Sequence, residues 1–283
     1  MIKYSIVIPT YNRVNDCNML LKSIDEAVIY SKIPKREFEI IVVDDSGKNN
    51  TYSSSLLVIK NIVNKKRLYA SGSRNAGASK AKGQYLIFFD DDVVIAQTYF
   101  SQLIKCINNF NCDVISGPIY PQEKNNATLY YTLLLSLTRK MNFVTCNHIT
   151  MEVKTYKKHP FPVDVRYCED FSYFLQNKLS ILYNKDLIVW HDRISFSSLI
   201  AKIHVYTWEA RKIFRNHNRW FTNVVIETGN ASLRKKYAGL HLWKKTLLRI
   251  LFAYNILLWV VVVPNLVIRY WRYKNEAITT HEV

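Results

Sequence analysis

The chain has 283 residues, of which 49% are hydrophobic and 22% charged; these are globular values with ample material for a core, and they exclude disorder of the chain as a whole. Lys and Arg number 39 against 22 Asp and Glu, a formal net charge of +17, so anionic partners are expected. Only seven glycines occur, far below the average of about 7% of residues, which disfavours phosphate cradles built from glycine loops.

From the N-terminus, MIKYSIVIPTYNR reads as a strand, Ser5 to Ile8, stopped by Pro9, and lacks the charged-then-apolar build of a signal peptide. The expectation is a chain that starts inside the cell. Asn15 to Ile29 carries Met19, Leu20, Ile24, Ala27 and Val28 at helical spacing, with Asn15 or Asp16 as N-cap. A second apolar strand, Glu39 to Val43, runs into Asp44 and Asp45. Leu56 to Val63 is a third strand, Ser73 to Lys82 a helix of small residues, and Tyr85 to Phe89 a fourth strand running into Asp90, Asp91 and Asp92. Strands alternating with helices imply an α/β fold with a mainly parallel sheet flanked by helices. Gln97 to Phe110 reads as a helix and Asp113 to Ser116 as a short strand; the alternation then becomes irregular through residues 121 to 160. A helix follows Glu169 and Asp170, and Leu179 to Trp190 returns to strand character before His191.

From Ser195 onward the pattern is helical and basic, so a domain boundary falls near residue 195. Beyond Ala201 the chain holds 14 basic and 4 acidic residues and five of its six tryptophans. Nucleic acid and an anionic membrane surface both meet such a composition. The stretch Ile250 to Ile268, inside a hydrophobic segment of about 247–268, has 19 residues without a charge and basic residues on both flanks. As a helix it would be roughly 28 Å long, close to the hydrocarbon thickness of a bilayer. Membrane lipids are therefore preferred to nucleic acid as the partner of this region, as a single span or a re-entrant segment kinked at Pro264; a buried helix of a soluble domain is the alternative. The five cysteines, at 17, 106, 112, 146 and 168, include no C-x-x-C pair, which fits a reducing compartment rather than zinc or a disulfide framework.

Three adjacent aspartates after a buried strand are the strongest chemical signal. In an open α/β sheet ligands bind beyond the carboxyl ends of strands, and like-charged carboxylates this close are relieved by a divalent cation. Alternation along an extended backbone would turn Asp90 and Asp92 the same way, able to share one metal or metal-bound diphosphate. Asp44 and Asp45 end another strand, so two acidic clusters are expected beside one cleft. The segment GSRNAGAS lacks the lysine of a P-loop and no G-x-G-x-x-G occurs, which excludes kinase and dinucleotide-dehydrogenase readings.

The ordered set SIVIPTYNR, EIIVVDDSG, SRNAGASKAKGQYLIFFDDD, TCN at 145 to 147 and CEDFSYFLQ from Cys168 resembles family 2 glycosyltransferases of the GT-A fold over about residues 3 to 192. The resemblance implies a domain over 1–194, with a nucleotide-sugar half at 1–117 and an acceptor half at 118–194, followed by basic amphipathic helices and the hydrophobic segment in 195–283. It implies that Pro9, Thr10, Tyr11 and Asp44 hold the nucleoside and that Arg74 contacts base or phosphate. Asp91 joins this donor-binding group. Asp90 and Asp92 would bind Mn²⁺ or Mg²⁺ on the donor diphosphate, with His191 as a further metal candidate or a structural strand-end histidine. Asp170 would be the catalytic base that removes the acceptor proton, with Glu169 and Asn147 on the acceptor side; Asn147 could equally be a turn residue. Asn216 to Trp220 (NHNRW) is faintly similar to the Q-x-x-R-W of processive members, with Asn in place of Gln.

The expected function is inverting, metal-dependent transfer of a sugar from a nucleotide-diphosphate sugar to a hydroxyl of a glycan, glycolipid or lipid-linked saccharide at the cytoplasmic membrane face. The alternatives are a polyprenyl-phosphate glycosyltransferase, whose anionic acceptor needs no base, and an inactive membrane-bound binding protein of the same fold.

Overall fold

A computed structural model describes residues 1–122, 144–164, 166 and 169–191. They belong to one compact unit, Met1–Lys124 with Asn142–Arg193; the other unit, Asn125–Met141 with Ile194–Val283, lies outside the described residues. The expected tail helices, the hydrophobic segment, the NHNRW motif and the membrane contact fall there. Among the described residues no helix is long and apolar enough to cross a membrane.

Strand β1 (Tyr4–Thr10) is buried at all seven positions, as a strand covered on both faces must be. It pairs in parallel with β2 (Phe38–Asp44), in a register that sets Thr10 beside Asp44, and on its other side with β4 (Tyr85–Phe89). Strand β3 (Ile59–Val63) extends the sheet beyond β2. The order is β3-β2-β1-β4-β8-β6-β9, where β6 is Val114–Ser116, β8 His148–Glu152 and β9 Ile181–Tyr183. Within this sheet β8 runs against its neighbours, pairing antiparallel with β4 and β6. A small second sheet joins β5 (Val93–Ile95), β10 (Val189–His191) and β7 (Ile119–Pro121).

Helix α1 (Val14–Ser31) buries Cys17, Leu20, Leu21, Ile24, Ala27 and Val28 against the sheet and ends at Lys32, which takes the left-handed conformation (φ 59°) and donates its backbone N–H to Ile29 O. Arg13 stands at the N-cap, without a side-chain capping bond; the expected cap at Asn15 or Asp16 is displaced because the helix starts earlier.

Helix α2 covers Tyr69–Ala78 rather than Ser73 to Lys82. The cause is remote in sequence: Asp45 accepts the backbone N–H groups of Leu68 and Tyr69 at 2.7 and 2.8 Å, so a strand-end carboxylate satisfies the helix's first donors. The expected strand at Leu179 to Trp190 is two strands in different sheets, divided by a turn in which Asn184 accepts the N–H groups of Asp186 and Leu187. Helices α3 (Tyr99–Asn109), α4 (Val153–Lys158) and α5 (Glu169–Gln176) complete the described unit.

Candidate functional site

The carboxyl ends of β1, β2 and β4 lie side by side, because the three strands are parallel neighbours. Thr10 stands between the two acidic clusters: its hydroxyl donates to Asp91 Oδ2 at 2.7 Å, and its carbonyl accepts the N–H of Asp45 at 2.9 Å. The clusters therefore border one region, as expected, but they do different work.

Asp44 is fully buried and accepts from the Ser46 backbone, the Asn50 amide and the Tyr52 hydroxyl at 2.9, 2.7 and 2.7 Å. Burial alone would raise its carboxyl, but bonds from Ser46, Tyr52 and Asn50 outweigh that and hold it below the usual carboxylate range. Asp44 is thus the organiser of the loop after β2. Asp45 braces α2 and also accepts from Asn64 at 2.8 Å.

The aspartates after β4 depart from the alternation expected of them. The strand stops at Phe89, and Asp91 and Asp92 form a turn into β5, so the pleat that would align Asp90 with Asp92 is absent. Asp90 accepts from Arg74 at 2.5 Å and donates its backbone N–H to Asn147 O at 3.1 Å. Asp91 points into the protein, toward Thr10. Asp92 binds the guanidinium of Arg13, which also reaches Asp91 at 3.1 Å, and lies 3.5 Å from His191 Nε2. Burial, reinforced by Asp92, pushes the Asp91 carboxyl up to about 7. Burial alone would lower the Arg13 guanidinium, but Asp92 and Asp91 outweigh it and hold it above its ordinary value.

Arg74 is 1% exposed. Its guanidinium donates to Asp90 and, at 2.8 Å, to Glu169 Oε1, and it lies 5.4 Å from the centre of the Phe161 ring. The resemblance places this arginine on base or phosphate; here it faces two carboxylates and ties the start of α5 to the end of β4. Asp170 follows Glu169 in the first turn of α5, where the helix dipole favours a carboxylate. Buried Cys146 marks the junction: burial raises its thiol, Arg74 opposes this, and Asp170, Glu169 and Asp90 add to it. Asn147 is 5% exposed and presents its carbonyl to Asp90.

Pro9 is buried within β1, whereas Tyr11 is 41% exposed with the Arg67 guanidinium 4.0 Å from its ring centre. Beside Arg13 opens a cleft of about 480 Å³ lined in part by Asn12, Asn15, Asp16, Lys48 and Asn50. Sequence reasoning missed Arg13, Cys146 and Arg67, and it placed Asp45 in the acidic cluster beside the cleft without its role at the start of α2. Arg13 carried a signal, since it ends the PTYNR segment directly after β1; the others depend on tertiary contacts.

Residues 5–162 match the model of Glycosyl transferase family 2. The poly(ribitol-phosphate) beta-N-acetylglucosaminyltransferase TarS of Staphylococcus aureus is 25% identical over 217 residues, covering 65% of this chain and 35% of TarS. A crystal structure of TarS residues 1–349 with UDP-GlcNAc superposes with a TM-score of 0.54 at 18% identity, over 75% of this chain and 67% of that one. The mannosyltransferase PcManGT of Pyrobaculum calidifontis, in complex with GDP-Man and Mn²⁺, superposes with a TM-score of 0.59 at 14% identity, over 99% of this chain and 88% of that one. These likenesses establish the GT-A-like fold. The chain spans less than two thirds of the length of the curated relatives it matches. With the family model covering more than half of the sequence, the chain belongs to glycosyltransferase family 2.

Proposed function

We propose that the protein is an inverting glycosyltransferase that moves a sugar from a nucleotide-diphosphate sugar to an acceptor hydroxyl at the cytoplasmic face of a membrane. One observation carries this reading: at the end of β4 Asp90 meets Arg74, which also holds Glu169, and Asp92 lies against His191, beside the strand ends where ligands of such sheets bind. Nucleotide sugars bound to similar folds, UDP-GlcNAc in TarS and GDP-Man in PcManGT, support the donor class.

The residues fit a divalent cation. Asp92 and His191 lie 3.5 Å apart and nearly buried, and the adjacent carboxylates Asp91 and Asp92 share a single guanidinium, that of Arg13. Among the described residues no group of three His, Cys, Asp or Glu is close enough to form a complete cage. A pair of protein ligands suits a metal that takes its other ligands from water and phosphate, as Mg²⁺ does. Asp92 and His191 would hold it, with Asp90 next to them, and it would supply charge for the departing nucleoside diphosphate.

The remaining chemistry belongs to the chain. Asp170 accepts the proton of the acceptor hydroxyl as that oxygen bonds to the anomeric carbon and the bond from that carbon to the diphosphate oxygen breaks. Its electron pair leaves with the nucleoside diphosphate, and attack from the opposite face inverts the centre. Positioned base catalysis of this kind contributes about 10²- to 10⁴-fold. Arg74 holds Asp90 and Glu169 in place, fixing the donor side relative to the base.

Thermal shift with UDP-GlcNAc and GDP-Man, with and without Mn²⁺, tests the reading, since a ligand of the native state raises its stability. At least one nucleotide sugar should raise Tm only when Mn²⁺ is present; no shift with any nucleotide sugar refutes the proposal.

A further inference from the structure

Strands β1, β2 and β4 run toward the acids of the site, so their first residues, Tyr4, Phe38 and Tyr85, mark the opposite end of the sheet. Antiparallel β8 finishes there, with Glu152 beside Tyr85. Strands β6 and β9 begin there, with Val114 beside Met151 and Ile181.

That far end is basic. Lys80 and Lys82 lie between α2 and β4, Lys157 and Lys158 in the last turn of α4, and Lys178 between α5 and β9. All five are exposed. Hydrogen bonds knit these segments into one surface: the Val153 N–H donates to Gln84 O at 2.9 Å, His159 Nδ1 lies 2.6 Å from Asn177 Oδ1, and the Ser180 hydroxyl donates to Asp113 at 2.7 Å. The acids present are engaged locally. Glu39 accepts from Ser5 and the Lys82 backbone, Asp113 from Ser180, and Glu152 from Lys154. Among the described residues none of the five lysines forms an ion pair. Charge is thus divided along the strand axis, with the acids of the site at one end and lysines without counter-ions at the other.

Large apolar side chains stand at the same end. Ile29 and Tyr30 close α1, Phe110 follows α3, and each is more than half exposed. A lipid surface fits this combination better than a nucleic acid does. The five cations are all lysines, point charges on flexible stems that suit mobile headgroups and lack the planar fork that suits a fixed phosphate. Aromatic side chains beside them find their place at headgroup depth.

We propose that the amino-terminal end of the sheet rests on an anionic membrane surface, with the site directed away from the lipid. This deepens the membrane-face location in the reading above and rests on it for the presence of lipid. Strand β1 has seven residues, and at about 3.3 Å each it sets the site roughly 20 Å from the headgroups. The acceptor class that reaches such a site is a long or water-soluble glycan.

Amine footprinting of the full chain tests the contact and reads it however the rest of the chain meets the membrane. Lysines are acetylated on vesicles of phosphatidylcholine alone and on vesicles with 30% phosphatidylglycerol, and the rate at each lysine is measured by peptide mass spectrometry. Lys80, Lys82, Lys157 and Lys178 should react about fivefold more slowly on the anionic vesicles, the scale of one lysine held at such a surface, while Lys65 and Lys66 near the site keep their rates within about twofold. Replacing two of the charges, Lys157→Gln with Lys178→Gln, should release Lys80 and Lys82 to within about twofold of their rates on neutral vesicles. Equal protection at Lys65 and Lys66, no difference between the two vesicles, or protection of Lys80 and Lys82 that persists in the double variant each overturns the proposal. Protection by a DNA duplex but by neither vesicle also overturns it, by assigning the face to nucleic acid. Thermal shift with nucleotide sugars reads the transferase separately: protection as expected with no nucleotide-sugar shift keeps the membrane face and refutes the transferase, and the reverse result does the opposite.

Discussion

Arg74 and Glu169, 95 positions apart in the chain, meet at 2.8 Å with the guanidinium 1% exposed and its second nitrogen on Asp90. One side chain of α2 thereby clamps the end of β4 to the start of α5. Removing it leaves two carboxylates facing each other with no cation between them.

Arg74→Met is accordingly expected to destabilise the fold by about 3–5 kcal/mol, the usual loss when one partner of a buried charge network is deleted. In a chain of this size that lowers Tm by roughly 10 °C. Chemical denaturation at pH 7 checks it. Arg74→Lys should recover only part of the loss, because an ammonium cannot span Asp90 and Glu169 with the same planar fork.

Gly77 shows what the few glycines are for. A Cβ at this position would stand 2.4 Å from Val7 Cγ1 and 3.0 Å from Val43 Cγ2, so the residue lets α2 lie directly on β1 and β2. Gly77→Ala should cost about 1–3 kcal/mol by overpacking, despite the better helix propensity of alanine. The R-N-x-G segment is thus a packing device, with the arginine turned to the carboxylates and the glycine to the sheet. A urea midpoint unchanged by the alanine would contradict this.

The alternating part of the fold was legible because each element follows a local rule. The buried runs of β1, β2 and β4 are largely apolar stretches that end at Thr10, Asp44 and Phe89, with β1 running one residue past the stop expected at Pro9 because Thr10 still pairs with Asp44, and α1 has a clear helical stripe. What escaped depends on contacts made across the chain. Strand β8 pairs antiparallel with β4 but follows a segment without periodicity. The start of α2 is set by Asp45, and the turn at Asp91 and Asp92 breaks the alternation from which a shared metal was inferred. Types of residue at strand ends could be read from the sequence; their partners could not.

Arg13 is the internal counter-ion of Asp91 and Asp92. A cation binding at Asp92 has to displace it, and the guanidinium is half exposed. Arg13→Gln should therefore tighten Mn²⁺ binding in the absence of nucleotide by about two- to fivefold, the scale of a partly exposed ion pair, and Asp92→Asn should abolish it. Electron paramagnetic resonance of free Mn²⁺ measures both. Looser Mn²⁺ binding in Arg13→Gln would show that the arginine supports the metal rather than competing with it.

His148 gives a pH dependence of stability. It is fully buried, with Nδ1 3.1 Å from the Tyr99 hydroxyl and Nε2 3.1 Å from the Gly117 carbonyl. The carbonyl can only accept, so Nε2 carries the proton and Nδ1 accepts from Tyr99. A second proton would break that bond and place a charge in the core; burial, opposed only in part by Gly117, lowers the group to about 4. The unfolded chain takes up this proton near pH 6.5 and the folded one only near 4. Stability from this group is present above pH 6.5 and declines as pH falls toward 4, by on the order of 3 kcal/mol. Urea midpoints between pH 4.5 and 7.5 should fall with acid in the wild type and fall less steeply in His148→Gln.

Glu169 and Asp170 are adjacent acids in the first turn of α5, and they should separate cleanly by experiment. Glu169 is bound to Arg74, so Glu169→Gln weakens an ion pair and is expected to lower Tm while reducing turnover modestly. Asp170→Asn keeps the size of the side chain but removes its ability to take a proton, so turnover should fall by about 10²- to 10⁴-fold, with donor affinity and Tm close to wild type. Single-turnover transfer from the nucleotide sugar found by thermal shift measures the chemical step apart from binding. Transfer that survives in Asp170→Asn but collapses in Glu169→Gln, at equal stability, would move the base to Glu169. It would also release Arg74 from a purely structural role, because that arginine would then set the orientation of the base itself.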